Sequence, residues 1–204
     1  MSGAQRVFLV DDQPAVLKAL ARLLGAAGFA VQAYASARAF LDALAADGAD
    51  GCLVLDLSMP EMGGLALQQA LAERASTLPI IFLTGHGDID TGVLAMKLGA
   101  ADFLTKPVDD ERLIGAIHAA LAQHRAARSA GAELDEIRQR LATLTPRETE
   151  VLHLVVEGLL NKQVAAALGT VEKTVKVHRA RVMAKMQVRS VTALVRLVDR
   201  ARQG

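Results

Sequence analysis

The sequence predicts an α/β domain with a doubly wound, five-stranded parallel sheet, followed by a small all-α domain of four helices that contains a helix-turn-helix. The chain has 204 residues, which is enough for one domain of ordinary size and a small one. In its first part, short apolar runs alternate with helical patterns, as expected for β/α units around a parallel sheet. Residues 1–123 hold 8 Lys and Arg against 14 Asp and Glu, whereas residues 124–204 hold 15 against 8. We therefore expect an acidic domain and a basic domain with different partners, the basic one being the candidate for nucleic acid.

The strands of the first domain are predicted at residues 7–10, 30–34, 52–55, 80–83 and 102–105. Most of these runs are continuously apolar, which is typical of strands that are buried on both faces. Helical spacing of apolar residues lies between them, most clearly in residues 16–24, and right-handed crossovers would place these helices on both faces of the sheet. Cys52, the single cysteine, lies in one of the runs and is expected to pack as a core residue.

Residues 124–140 are predicted to form a polar helical linker, because arginines alternate there with alanines and acidic residues. A solvated connector is the simpler interpretation. Leu134, Ile137 and Leu141 could instead form a narrow apolar seam between two copies of the chain.

The second domain, residues 141–204, opens with a capping box in which Thr145 caps a helix and Glu148 lies three residues further on. Helical patterns follow at 148–157, 162–168, 172–186 and 191–201, and Gly158 and Gly169 provide tight breaks. A small break between the second and third helices predicts a helix-turn-helix.

The chain is expected to be a soluble cytoplasmic protein. No run reaches the roughly 20 apolar residues that a membrane-spanning helix needs, and the N-terminus has neither the basic start nor the cleavage site of a signal peptide.

Five polar groups follow or end the predicted strands. Because the carboxyl ends of parallel strands meet at one edge of a sheet, these side chains should be neighbours. Three crowded carboxylates repel one another, and their oxygen-only ligand set favours Mg²⁺. The central carboxylate, Asp56, could then attack phosphorus, with an ammonium and a hydroxyl available for the phosphoryl oxygens. The groups are Asp11, Asp12, Asp56, Thr84 and Lys106.

The motifs around these groups resemble the signature of receiver domains, which have a flavodoxin-like fold. They are Val10-Asp11-Asp12, Leu55-Asp56-Leu57-Ser58-Met59-Pro60, Leu83-Thr84-Gly85 and Phe103-Leu104-Thr105-Lys106-Pro107. The resemblance implies that Asp56 accepts phosphate from a sensor histidine kinase, that Asp11, Asp12, Asp56 and the Ser58 carbonyl bind Mg²⁺, and that Thr84 and Lys106 hold the phosphoryl group. It further implies that Phe103 rotates on activation and that the bond before Pro107 is cis. His86, in a glycine-rich loop, is expected to serve structure or gating.

The third helix of the second domain has a basic face, on which Lys173 and Lys176 accompany Val177 and Ala180. Such a face suits the major groove of DNA, although a solvated basic helix would show the same pattern. The opposite face, with Val175, His178 and Met186, should be core.

The flanking motifs resemble the LuxR-type helix-turn-helix and, with the receiver, the FixJ-like branch of the NarL/FixJ family of two-component response regulators. The resemblance implies a phosphorylation-controlled transcriptional regulator, not an enzyme, with double-stranded promoter DNA, RNA polymerase and a second copy of the chain as further partners. Leu160 and Val171 stand where the family commonly has hydroxyl N-caps, and we expect Asn161 and Thr170 to substitute for them. The DNA-binding residues are predicted to be Lys162, Lys173, Thr174, Lys176, Val177, Arg179, Ala180 and Arg181.

Two other functions compete with this interpretation. A phosphatase with an aspartate nucleophile generally needs a second acid two residues on, where this chain has Ser58. A receiver that serves only as a fixed, unphosphorylated dimer module would not need the complete acidic set.

Overall fold

A computed structural model describes residues 4–44, 50–85 and 89–203 of the chain. His86 therefore lies outside the described residues. The chain divides into two compact units, Met1–Ala126 and Ala127–Gly204.

The first unit contains a five-stranded, all-parallel sheet with the strand order β2-β1-β3-β4-β5. This is the predicted doubly wound topology. After β2 the chain crosses back over β1 to β3, so the direction in which strands are added changes between β1 and β3. The strands and helices alternate along the chain as β1 (Arg6–Val10), α1 (Pro14–Ala26), β2 (Ala30–Tyr34), α2 (Ala37–Ala43), β3 (Cys52–Asp56), α3 (Gly64–Glu73), β4 (Ile80–Thr84), α4 (Ile89–Lys97), β5 (Asp102–Thr105) and the start of α5 (Asp110–Ala142).

Both faces of the sheet are buried, because successive side chains of its central strands enter two different cores. On one face, Phe8, Leu53 and Phe82 pack with Phe40 of α2 and Leu67 of α3. The other core combines alternate strand residues with side chains of α1 and α5, namely Val7, Leu9, Val54, Ile81, Leu24, Leu113 and Ile117. The prediction of strands buried on both faces is thus confirmed for β1, β3 and β4, whereas the edge strands β2 and β5 are partly exposed. Cys52 is fully buried, and desolvation raises the pKa of its thiol to about 12.

The second unit is helical. It contains the end of α5, then α6 (Pro146–Val156), α7 (Asn161–Ala167), α8 (Glu172–Lys185) and α9 (Val191–Gln203), which enclose a third core. The predicted capping box is present at the start of α6, where Glu148 N donates to Thr145 Oγ1 at 3.3 Å and Thr145 N donates to Glu148 Oε2 at 2.9 Å.

Residues 124–140 lie within α5, and this segment contributes to a core. Ile137 is only 1% exposed and packs with Val151, Leu152 and Leu194 of the second unit. A seam between two copies would need Ile137 at the surface, so that interpretation is wrong.

The expected substitute caps are also wrong. Leu160 and Val171 are themselves the N-cap residues of α7 and α8, and neither side chain makes a capping hydrogen bond. Asn161 is already the first residue of α7, and Leu160 N is satisfied instead by donating to Gln163 Oε1 at 2.8 Å.

Among the residues that the structure describes, no helix is both long and apolar enough to cross a membrane.

Candidate functional site

The carboxyl edge of the sheet brings together the polar groups that lie far apart in the sequence. Asp11 directly follows β1, Asp56 is the last residue of β3, and Thr84 is the last residue of β4. All three are at most 5% exposed. Lys106 follows β5 and reaches the same edge, where its backbone N donates to Thr84 O at 2.6 Å.

The Lys106 ammonium bridges the two buried carboxylates. Its Nζ lies 2.6 Å from Asp11 Oδ2 and 2.6 Å from Asp56 Oδ1. Burial works to lower the pKa of Lys106, but hydrogen bonds and Coulombic attraction to both aspartates outweigh it, so that the pKa lies above its usual value. The ammonium therefore stays charged and offsets the repulsion between the carboxylates.

Backbone amides orient the remaining oxygens of the same two side chains. Gln13 N donates to Asp11 Oδ1 and Ser58 N donates to Asp56 Oδ2, both at 2.8 Å. Each carboxylate is thus held by one backbone donor and one ammonium, which fixes its orientation at the edge of the sheet.

The residues expected to hold Mg²⁺ provide a suitable set of hard oxygen donors. Asp12 Oδ1 is buried and has no hydrogen-bond partner, and a buried carboxylate oxygen in that condition favours a cation. The carboxylates are nevertheless not gathered around a common point, since within 4–44, 50–85 and 89–203 no three His, Cys, Asp or Glu side chains are arranged to hold a metal ion. Lys106 lies between two of them instead.

Two glycines near the site allow close packing that the sequence analysis did not single out. A Cβ on Gly64 would lie 2.6 Å from Asp56 O and 2.8 Å from Phe82 Cε1, so α3 can start directly against the backbone of Asp56 only because position 64 has no side chain. A Cβ on Gly92 would lie 3.1 Å from Phe103 Cε1. Glycines in helices carry no motif of their own, so the sequence held no clear signal for either role.

Phe103, the predicted switch aromatic, is partly buried against the core of the first unit. Its ring centroid lies 6.4 Å from that of Phe82, and its ring also lies close to Gly92. The peptide bond between Lys106 and Pro107 is cis, as the sequence motif predicted.

A surface pocket of about 340 Å³ opens beside the site. Its walls come from the loop after β3, the start of α3, the end of β4 and α4. Thr84 is among the lining residues, so the pocket reaches the carboxyl end of β4. The lining residues are Leu57, Ser58, Gly63, Leu65, Ala66, Thr84 and Thr91.

The basic face predicted on the second unit is exposed on α8. Lys173, Lys176, Val177, Ala180 and Arg181 are exposed, and Lys162 is exposed at the start of α7. The opposite face holds Val175, Val182 and Met186 in the third core, as the helical periodicity predicted, whereas His178 is only partly buried and is not a member of that core. Thr174 and Arg179 are half-buried.

Arg179 connects the two helices of the helix-turn-helix. Its Nη1 donates to Asn161 Oδ1 at 2.8 Å, which joins α8 to the first residue of α7. The guanidinium of Arg179 is therefore oriented by a hydrogen bond within the protein. It is also available at the basic face for contact with DNA.

Lys185, near the end of α8, has a structural role. Its Nζ lies 2.7 Å from Glu148 Oε2 and 2.8 Å from Thr143 O. The hydrogen bond from Lys185, then that from Thr145 N, lowers the pKa of the buried Glu148 to about 2. This ion pair ties the end of α8 to the start of α6, a connection that depends on helix packing and has no local sequence signal.

These features define a class of protein: a receiver-type domain with a lysine-bridged acidic site, joined in one chain to a helix-turn-helix domain with a basic reading face. Residues 7–118 match the family described as response regulator receiver domain, and residues 142–198 match the family described as bacterial regulatory proteins, luxR family.

Several known proteins are similar to this chain over nearly its whole length. The chain is 45% identical over 197 residues to the response regulator protein TodT of Pseudomonas putida, covering 97% of this chain and 86% of that one. It is 47% identical over 191 residues to the transcriptional regulatory protein FixJ of Rhizobium meliloti, covering 94% and 93%. Among solved structures, the response regulator StyR matches with a TM-score of 0.87 and 44% identity over 96% of this chain and 98% of that one. Full-length FixJ from B. japonicum matches with a TM-score of 0.62 and 39% identity over the whole of both chains.

The chain belongs to the FixJ-like response regulators, which combine a receiver domain with a LuxR-type DNA-binding domain. It is a phosphorylation-controlled transcription regulator of a two-component system. The receiver domain implies a sensor kinase as a partner, and the LuxR-type domain implies DNA binding.

Proposed function

We propose that Asp56 is the residue that accepts the phosphoryl group from the phosphohistidine of the sensor kinase. The observation that carries this proposal is the position of its carboxylate, which ends the central strand β3, is 5% exposed and is held between Ser58 N and Lys106 Nζ. In the transfer, a carboxylate oxygen of Asp56 bonds to phosphorus while the phosphorus–nitrogen bond to the kinase histidine breaks, and the imidazole leaves with that electron pair.

In this proposal Asp11, Asp12, Asp56 and the backbone carbonyl of Ser58 hold Mg²⁺. The unpaired, buried Asp12 Oδ1 supports it. When bound, the ion supplies positive charge against the carboxylates and the phosphoryl oxygens. Once Asp56 is phosphorylated, Lys106 Nζ and the Thr84 hydroxyl contact the phosphoryl oxygens, which draws Lys106 away from its two-carboxylate bridge.

Movement of Thr84 and Phe103 with the phosphoryl group would then reshape the surface formed by α4 and β5 and favour a receiver dimer. Apolar side chains on α4 support this, because Val93, Leu94 and Met96 are 46–47% exposed. A dimer would present two copies of α8 to neighbouring half-sites on promoter DNA.

On the DNA, Lys173, Lys176, Val177 and Ala180 would face base edges in the major groove, where lysine can meet guanine and small apolar groups can meet thymine methyls. Contacts to phosphates would come from the flanking set, Lys162, Thr174, Arg179 and Arg181.

The functional division that we propose has the receiver in residues 1–123, a helical linker in 124–140 and the DNA-binding domain in 141–204. A regulator of bacterial promoters works in the cytoplasm, with RNA polymerase as its further partner.

The phosphorylation step is tested by labelling the full chain with radioactive acetyl phosphate in the presence of Mg²⁺. Asp56→Asn should abolish labelling, while Asp42→Asn, which removes an exposed carboxylate on α2, should label like the wild type. Equal labelling of Asp56→Asn and wild type would contradict the assignment of Asp56.

The dimer and DNA steps are tested with beryllofluoride, which mimics the phosphoryl group. Treated wild type should sediment as a dimer and select duplexes from a randomised DNA pool, whereas treated protein that stays wholly monomeric would refute the dimer step. Lys162→Met, which removes a proposed phosphate contact, should weaken binding to the selected duplex and reduce its salt dependence, while Lys18→Met, at an exposed position of α1, should leave both unchanged.

A further inference from the structure

Gln68, in the middle of α3, is a buried polar residue that the phosphorylation site does not use. It is 4% exposed, and its Nε2 lies 3.2 Å from Ala95 O and 3.2 Å from Leu98 O. Both carbonyls belong to the C-terminal end of α4. The amide of Gln68 therefore connects α3 to the helix whose exposed face is expected to change on activation.

The end of α4 is a well-formed helix terminus. Gly99 has a φ of 91° and donates its N–H to Met96 O at 3.0 Å, and Ala100 N donates to Ala95 O at 3.0 Å. This pattern satisfies some of the carbonyls that a helix end leaves without intrahelical donors. Gln68 adds a donor to the carbonyl of Leu98 and a second one to that of Ala95.

Little apolar side-chain surface is buried along the part of α4 whose side chains the structure describes. Of the residues 91–97, whose side chains are described, only Gly92 and Ala95 are buried, and these contribute little side-chain surface. The hydrogen bonds from Gln68 therefore add to the burial of Ala95 in fixing the C-terminal end of α4 against α3.

The buried position of Gln68 also has an unfavourable contribution to the free energy of folding. Gln68 Oε1 is buried without a hydrogen-bond partner. A buried acceptor in this condition destabilises the arrangement that contains it. The unpaired acceptor offsets part of the stabilisation that the two donated hydrogen bonds provide.

We propose that Gln68 is a positioning residue that fastens the C-terminal turn of α4 to α3 and thereby sets how readily α4 shifts when the receiver is phosphorylated. This inference rests on the phosphorylation switch proposed above. Removing the donor should release the last turn of α4 and bring the untreated protein closer to the activated one.

Hydrogen exchange of the full chain, followed by mass spectrometry, tests this directly. In Gln68→Met, amides of residues 92–100 should exchange about tenfold faster than in wild type, while those of β1, β3 and β4 should be unchanged. The matched control is Gln69→Met, which makes the same substitution at the exposed neighbouring position and should behave like wild type.

A regulatory effect is separated from a merely structural one by repeating the exchange with beryllofluoride and Mg²⁺. The change in exchange rate that this treatment causes at residues 92–100 should be smaller in Gln68→Met than in wild type. If that variant fails to fold, Gln68→Asn, which keeps an amide but shortens the side chain, should show the same selective acceleration.

The positioning role would be overturned if residues 92–100 of Gln68→Met exchanged at the same rate as in wild type. It would also be overturned if the acceleration were spread evenly over the strands. Asp56 labelling would remain intact in that case. Failure of wild type to respond to beryllofluoride would instead count against the proposed switch, while the difference between Gln68→Met and wild type without treatment would persist.

Discussion

Replacing Gly64 with alanine would direct a methyl group at the backbone of the proposed phosphoacceptor. The added Cβ would lie 2.6 Å from Asp56 O, 2.8 Å from Phe82 Cε1 and 3.1 Å from Leu57 Cα. Two of these three atoms are backbone atoms, and the third belongs to a ring with no exposed surface, so none can move aside easily. Overpacking of this kind costs about 1–3 kcal/mol, and we expect the receiver to lose that much stability.

The single tyrosine makes this loss measurable in the full chain. The protein has one Tyr and no Trp. Tyr34 lies on β2, with its ring centroid 5.4 Å from that of Phe40, so its fluorescence reports unfolding of the receiver alone. Urea unfolding followed by tyrosine fluorescence should therefore show a lower midpoint for Gly64→Ala, with an unchanged slope.

Gly25→Ala is the matched control. Gly25 lies inside α1, and a Cβ there would have no atom within 4 Å. In this last turn of α1 the same substitution should leave the stability of the receiver unchanged or raise it by at most about 0.5–1 kcal/mol, the gain expected in the middle of a helix. If Gly64→Ala proved as stable as Gly25→Ala, and accepted phosphate from acetyl phosphate at the wild-type rate, the inferred contact between α3 and Asp56 would be refuted.

Three further predictions concern the polar contacts. Lys106→Met leaves two buried carboxylates without their cation and should lower the free energy of unfolding by roughly 2–4 kcal/mol in the tyrosine assay. Millimolar Mg²⁺ should restore part of this loss. Equal stability of Lys106→Met and wild type would argue against the bridge. Glu148 has a folded-state pKa of about 2, below its ordinary 4.5, so its stabilising contribution is complete above pH 4.5 and is lost as the pH falls towards 2. Circular dichroism should show a weaker acid dependence of helix unfolding in Glu148→Gln than in wild type. Identical pH profiles of the two proteins would contradict this. Asn161→Ala removes the hydrogen-bond partner of Arg179 but keeps the arginine's charge, so DNA binding should weaken about fivefold while the slope of log affinity against log salt concentration stays unchanged. Arg179→Met should reduce that slope by about one. A reduced slope in Asn161→Ala would contradict the view that Asn161 only orients Arg179.

The sheet and its acidic edge were predictable because both depend on signals that are local in sequence. Each buried strand is an apolar run, and Asp11, Asp56 and Thr84 lie where such runs end. Parallel topology alone then brings these side chains to one edge. The prediction could not extend to Lys106 lying between two carboxylates, because that depends on side-chain conformations.

Contacts between helices were predicted less well. Lys185 looks like one more basic residue on a DNA-binding helix, and only the packing of α8 against α6 reveals Glu148 as its partner. Gln68 resembles an ordinary surface glutamine, because nothing in its neighbourhood along the chain indicates the end of α4. The polar composition of residues 124–140 predicts a solvated linker and leaves Ile137 to a possible seam between copies, whereas the packing of the helices places Ile137 in the core of its own unit.

The Lys106 bridge also has a consequence for the order of events during synthesis. Its hydrogen bonds join residues that are 95 and 50 positions apart in the chain. Asp11 and Asp56 leave the ribosome well before Lys106, so a nascent receiver that ends short of β5 has both carboxylates but lacks the cation that offsets their repulsion. The last strand to emerge thus completes the electrostatic balance of the edge, and competence to receive a signal arises only when the receiver is able to fold as a whole.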